Sequence, residues 1–164
     1  MNEIENKALL NYLKSHDINY KIHFHKAVFT VAESKSIKSK IPELHTKCLF
    51  LKDDKGAFYL AAVPADKRVD LKLLRKTLNV KKLQFGSQEE LKKYLHLTPG
   101  SVSVFGLFDS SEVKLIIDNE VWNAEIVNFH PNINTATLEL SHADFEKFYN
   151  SLKCEKEIME IKGM

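Results

Sequence analysis

The sequence predicts an α+β fold, with helices near both ends of the chain around a strand-rich middle. Three observations carry this: helical periodicity towards each terminus, a series of short β-prone runs between, and connections too short for successive parallel crossovers. The pairing implied is antiparallel or mixed. Ile4, Ala8, Leu9, Tyr12 and Leu13 recur at helical spacing and predict an amphipathic first helix that breaks at Asp17 to Asn19. Tyr20 to Phe24 alternates as a short strand, and Thr30 to Lys40 reads as a turn into a polar helix. Leu49 to Leu51 and Phe58 to Val63 are apolar runs split by Asp53, Asp54, Lys55 and Gly56, a hairpin signal. Leu71, Leu74 and Leu78 share one helical face. Ser87 with Glu90 three residues on fits a capping box, opening a helix to about Leu95 that Thr98, Pro99 and Gly100 stop. Val113 to Ile117, Ala124 to Phe129 and Thr135 to Leu140 read as three strands. Ser141 caps a closing helix with Phe145, Phe148 and Leu152 as its buried stripe.

The 164 residues, 44% hydrophobic and 28% charged with five Gly and four Pro, suit one globular domain with a real core. No repeat or linker divides them, so residues 1–164 are expected to form a single domain. Cys48 and Cys154 stand far apart and outside any C-x-x-C pair, which argues against a disulfide framework or zinc knuckle. Apolar runs such as Tyr59 to Pro64 are far below membrane-spanning length, and no signal segment opens the chain. A soluble protein of a reducing, cytoplasmic compartment with no membrane partner is expected. The net charge of +2 is uninformative, but seven basic residues lie between Lys67 and Lys82 against one acid, Asp70. Such a strip, Arg75 and Lys76 included, suits a phosphate backbone or simply a solvated helix face.

The residues offer no cofactor site. His23 and His25 lie two apart on one strand face, without a carboxylate or third histidine at ligand spacing. Gly100 and Gly106 belong to no phosphate-binding glycine pattern. Cys48, ahead of Leu49 and Phe50 in a strand, suits buried packing better than nucleophilic attack. Four polar islands remain within the apolar strands: His23 to Thr30, Lys47, Thr98 to Ser103, and Phe129 to Thr135. Together they bring a backbone-rich loop to histidines, a lysine and amides, the equipment of a small polar-ligand pocket.

These islands carry a resemblance. The string H-x-H-x-A-V-F-T-V-A-E from His23 to Glu33 resembles the opening signature of the prolyl-tRNA editing family, which includes the editing insertion of bacterial prolyl-tRNA synthetases. So do Lys47 to Asp53, Pro64 to Asp70, Leu97 to Ser103, and Phe129-His130-Pro131 with Asn134 to Thr137, all in the family's order. The match is closest to freestanding alanyl-tRNA-Pro deacylases.

The resemblance implies a mixed, largely antiparallel, partly closed sheet surrounded by helices, with a cleft for the aminoacylated terminal adenosine. It implies hydrolysis of the ester between a wrong amino acid and tRNA-Pro, without cofactor or metal. Alanine is the expected amino acid, because a proline site cannot reject a smaller side chain by more than about 1–3 kcal/mol. It also implies roles. Lys47, Gly100 and His130 form the catalytic set: Lys47 holds a phosphate or other terminal oxygen, and His130 contacts the aminoacyl group or positions water. Gly100 opens the family's G-x-x-x-P loop, either by letting the backbone approach the ester or by taking a positive φ. Position 104, where that pattern has proline, is Val104. Thr30, Val31, Ser101, Val102 and Asn134 line the substrate cleft, and Arg75 and Lys76 meet the tRNA backbone. Prolyl-tRNA synthetase is an expected transient partner. The alternatives are a relative acting on Cys-tRNA-Pro or another aminoacyl-tRNA, and a non-catalytic sensor regulating proline metabolism.

Overall fold

The structure is a computed structural model that describes residues 3–24, 44–129 and 136–164. Helix α1 (Glu3–Ser15) buries Leu9 and Leu13 completely. It ends where Asp17 turns left-handed at φ 56°, so that the Ile18 N–H reaches back to the Leu13 carbonyl at 2.9 Å. That is the helix-stop geometry usually given to glycine, and Ile18 is buried beside the helix it closes.

Strand β1 (Lys21–Phe24) follows, then the long β2 (Leu44–Asp53) and β3 (Phe58–Pro64). The expected hairpin between β2 and β3 is knotted by one carboxylate. Asp53 Oδ1 accepts from the amides of Lys55 and Ala57, its Oδ2 accepts from the Tyr59 hydroxyl, and Gly56 takes φ 86°. Helix α2 (Leu71–Leu78) is capped by Asp70 and stopped by left-handed Asn79. After the short β4 (Leu83–Phe85), α3 (Gln88–Leu95) starts with the reciprocal Ser87–Glu90 capping box that the sequence specifies. Two 3₁₀ turns, Pro99–Ser101 and Val104–Leu107, lead into β5 (Val113–Asp118) and α4 (Asn119–Asn123). Then come β6 (Ile126–Phe129), β7 (Ala136–Ser141), α5 (His142–Ser151), capped by Ser141, and β8 (Lys156–Met159).

The eight strands form one sheet in the order β1-β7-β6-β2-β3-β5-β8, with β4 added on β2. Four pairings are antiparallel (β1/β7, β2/β3, β2/β4, β6/β7) and three parallel (β2/β6, β3/β5, β5/β8). The mixed, largely antiparallel α+β architecture is the one expected. Both faces of β3 are covered: Phe58, Leu60 and Ala62 join a large core with Phe105, Phe145 and Phe148. Tyr59, Ala61 and Val63 join a smaller one with Leu74, Ile116 and Ile161. Strands β4 and β8 and helix α4 are additions to the expected elements. Each is three to five residues long, too short for periodicity to show. The polar helix expected over residues 30–40 lies outside the described residues.

Candidate functional site

The chemistry gathers where the sheet splits. One edge of β2 pairs all along its length with β3, from Thr46 to Lys52. The other edge is shared: β6 takes Leu44 and His45 in parallel, β4 takes Leu51 to Asp53 antiparallel, and a gap is left between them. Two hydrogen bonds border the gap. The Thr46 hydroxyl donates to the Asn128 carbonyl at 2.7 Å, and the Phe50 carbonyl accepts from the Gly86 amide at 2.9 Å, while the Val104 N–H lies beside the Cys48 thiol. The segment carrying Gly100 therefore lies against the strand one residue beyond Lys47.

The same junction collects the other islands. Cross-strand register places Lys21 opposite Glu139, Glu139 opposite Asn128, Asn128 opposite His45, and His23 opposite Thr137. Ladder partners share a face, and positions two apart share it too. His23, Thr137, Glu139, Asn128, His45 and Lys47 thus form one polar face, whose reverse carries Val127, Phe129, Leu138 and Leu140 in the large core. Phe24 at the end of β1 and Ala136 at the start of β7 are paired.

Polar though it is, this face is mostly enclosed: Asn128, Thr137 and Glu139 are buried. Glu139 Oε1 sits 3.1 Å from His23 Nε2, with Lys21 Nζ at 3.9 Å from its other oxygen. The carboxylate missing from the sequence neighbourhood of His23 is supplied by β7. Sequence reasoning passed over His45, Asn128 and Glu139. Their signal was alternation, because Asn128 in β6 and Thr137 and Glu139 in β7 are polar between residues of the core.

The glycine turn reaches β2 from the opposite face, the Cys48 side. Gly100 is the middle residue of the Pro99–Ser101 turn and is exposed. Among the described glycines only Gly56 has a positive φ, so a left-handed backbone is not the reason for glycine at 100. The Ser101 amide donates to the Thr98 carbonyl at 2.9 Å, closing the turn. Val104 is buried as the first residue of the next 3₁₀ turn, after an extended Ser103 (φ −153°, ψ 151°). A first helical position after an extended residue is backbone that proline would also accept.

Cys48 is partly exposed as a residue, yet its thiol is enclosed. Burial pushes that thiol up to about 12, against the smaller opposing pull of the Val104 N–H. A thiol held protonated is no nucleophile at neutral pH, so Cys48 packs the loop against the strand. Pro99 and Val102 of the loop, with Cys48, Phe50 and Phe85, border a mainly apolar cleft of about 330 Å³.

Arg75 and Lys76 occupy the last turn of α2, with Arg75 Nη1 bonded to the Lys81 carbonyl. Lys67, counted within the same basic strip, is spent internally on Asp118, Glu120 and the Ile161 carbonyl. Thr30, Val31, His130 and Asn134 lie outside the described residues. Among the described residues no group of three or more His, Cys, Asp or Glu is arranged to hold a metal, and no helix is long and apolar enough to cross a membrane.

A mixed sheet split along β2, with a glycine turn packed on the strand that carries Lys47, defines the class of fold. The chain belongs to the aminoacyl-tRNA editing domain family, whose model matches residues 25–148. It is 38% identical to the prolyl-tRNA editing protein ProX of Acetoanaerobium sticklandii, over 86% of this chain and 88% of that protein. It is 34% identical to the prolyl-tRNA synthetase associated domain-containing protein 1 of Xenopus laevis, over 87% and 88% respectively. Among solved structures, a candidate trans-editing enzyme for prolyl-tRNA synthetase shares the fold at TM-score 0.75 and 15% identity, covering 98% of each chain.

Proposed function

We propose that this chain, as one editing unit, hydrolyses the ester of mischarged tRNA-Pro in trans, with alanine as the amino acid removed. The observation that supports the reading is the split along β2, where the glycine turn packs on Cys48, the residue next to Lys47 in the strand. Its similarity to ProX supplies the prolyl-tRNA substrate.

An aminoacyl ester is already activated, so the site has only to place water and stabilise the tetrahedral oxyanion. With the Ser101 amide engaged by Thr98, the donors proposed for the oxyanion are the amides of Gly100 and Val102. Gly100 stands in the first turn of a 3₁₀ helix, where amides lack intrahelical partners. Lys47 holds a terminal phosphate or ribose oxygen, and His130, neutral near pH 7, positions water with help from the substrate's own ribose hydroxyl. Thr30, Val31, Ser101, Val102 and Asn134 shape the amino-acid side. The chemistry needs no cofactor, and a transient encounter with cytoplasmic prolyl-tRNA synthetase would hand over the substrate. Deacylation of Ala-, Cys- and Pro-tRNA-Pro measured side by side tests the reading. Alanine should leave fastest and proline should resist. Faster loss of cysteine moves the specificity, and no hydrolysis of any ester favours a sensor.

Lys47→Ala should lower kcat/KM on Ala-tRNA-Pro by about ten- to a hundredfold, the worth of a hydrogen bond to a charged group. The melting temperature should hardly move. Unchanged kinetics together with unchanged tRNA binding would remove Lys47 from the site.

Charge reversal at Arg75 and Lys76 should raise KM for Ala-tRNA-Pro several-fold, more at low than at high salt, with little change in kcat. The control substrate is alanyl-adenosine, which has no acceptor stem and should be hydrolysed as by the parent. If both substrates lose activity equally, the end of α2 is not a tRNA contact.

A further inference from the structure

The cleft beside the glycine turn has a construction of its own. Its floor is the Phe50 ring, buried and stacked on Phe58 at 5.4 Å between centroids. Gly86 passes directly over that ring: a Cβ added there would come within 2.4 Å of Phe50 Cδ2. Only glycine lets the connection between β4 and α3 cross so low, and the crossing keeps the slot open above. Phe85 forms one border and is 59% exposed, an unusual cost for an aromatic on a three-residue strand. Pro99 and Val102 of the glycine turn form the other border, and Gln88 brings an amide to the rim.

We propose that this slot takes the base of the terminal nucleotide, with Phe85 as its stacking platform. The inference rests on the deacylase reading and names where the non-reacting part of that substrate binds. Three features point to a base. The slot adjoins the turn assigned to the ester, and in an aminoacylated 3′ end the base lies one ribose away from that ester. Its lining is aromatic and aliphatic, which suits an unpaired base splayed onto a side chain. And the approach is basic. Exposed Lys81 and Lys82 precede β4 directly, and Arg75 is bonded to the Lys81 carbonyl, so the strip on α2 runs up to Phe85. A phosphate backbone following that strip delivers its last base to the slot.

The amino-acid side chain is the competing occupant, and size decides against it. At about 330 Å³ the cleft lies at the lower end of small-molecule sites, about 300–1,000 Å³. It admits proline as readily as alanine and cannot act as the sieve.

The test compares Phe85→Ala and Phe85→Trp with the parent, since an exposed residue can be changed without unfolding the chain. One arm measures hydrolysis of Ala-tRNA-Pro ending in adenosine and of the same tRNA ending in an abasic ribose that carries the alanyl ester. Phe85→Ala should lose about ten- to a hundredfold in kcat/KM on the first, mainly through KM. It should lose nothing further on the second, while Phe85→Trp keeps the parental rate on both. Equal losses on both ends, or none on either, overturn the proposal. The other arm measures calorimetric binding of the non-hydrolysable 3′-alanylamido-adenosine, which needs no catalysis. Weaker binding by Phe85→Ala supports the slot even where the parent leaves every ester intact, in which case the deacylase reading fails alone. Binding equal to the parent's overturns the slot, whatever the hydrolysis assay gives.

Discussion

Gly100→Ala is expected to lower kcat on Ala-tRNA-Pro by about a hundred- to a thousandfold, the usual cost of losing one oxyanion donor. The turn geometry makes this a clean experiment. Gly100 lies within Pro99–Ser101 without a positive φ, so alanine fits the backbone without strain. The residue is exposed, so no core contact is disturbed. A fall in rate would then mean that the added methyl occupies space the ester needs, or turns the amides of Gly100 and Val102 away from the oxyanion. Turnover should collapse while the thermal midpoint stays within a few degrees of the parent. Val104→Pro is the companion: the backbone accepts proline there, and the loss is the N–H beside the Cys48 sulfur, a weak acceptor. Its activity should stay close to parental. Parental turnover in Gly100→Ala would show that the glycine turn is not catalytic and would strengthen the sensor alternative.

What the sequence made legible follows how far each signal travels along the chain. Capping and turn chemistry is local, so the Ser87–Glu90 box, the Ser141 cap and the hairpin around Asp53 could all be read directly. The turn at Pro99–Ser101 and the strand holding Lys47 were legible too, the first from its proline and glycine and the second from its apolar run. The polar face behind Lys47 was not. His45, Asn128 and Glu139 belong to three separate strands, and only the register of β2, β6 and β7 reveals that they share a face. Strand β8 hid for a similar reason: Lys156 to Met159 carries two charges in four residues and shows neither an apolar run nor alternation. Its strand character comes from pairing with buried β5, a partner some forty residues earlier in the chain. The basic strip misled in one particular. Counting charges cannot separate Lys67, which faces inward, from Lys76, which faces water.

That inward lysine supports the second large effect. Lys67 Nζ lies 2.6 Å from Asp118 Oδ2, 2.9 Å from Glu120 Oε1 and 2.9 Å from the Ile161 carbonyl. Burial alone would push its ammonium down, but the bonds to Asp118 and Glu120 outweigh that and hold it above the ordinary lysine range. Its contribution is therefore fully present below that range and is lost only as pH rises through the elevated value, so measurements near neutrality see all of it. Asp118, with its side chain 1% exposed, is the group at risk. Lys67→Met keeps the apolar stem but leaves that carboxylate buried without a cation. Breaking a buried pair from one side typically costs about 3–5 kcal/mol. Chemical denaturation should show a loss of that order, and Lys67→Met combined with Asp118→Asn should recover much of it, because the second change removes the stranded charge. The lysine also ties down the C-terminal segment, whose Lys162 carbonyl accepts from the Asp70 amide where Asp70 caps α2. The destabilised single variant should therefore lose protection from hydrogen exchange first along residues 159–164 and the first turn of α2. A denaturation midpoint equal to the parent's, or a double variant no more stable than Lys67→Met, would show that Asp118 does not depend on this lysine.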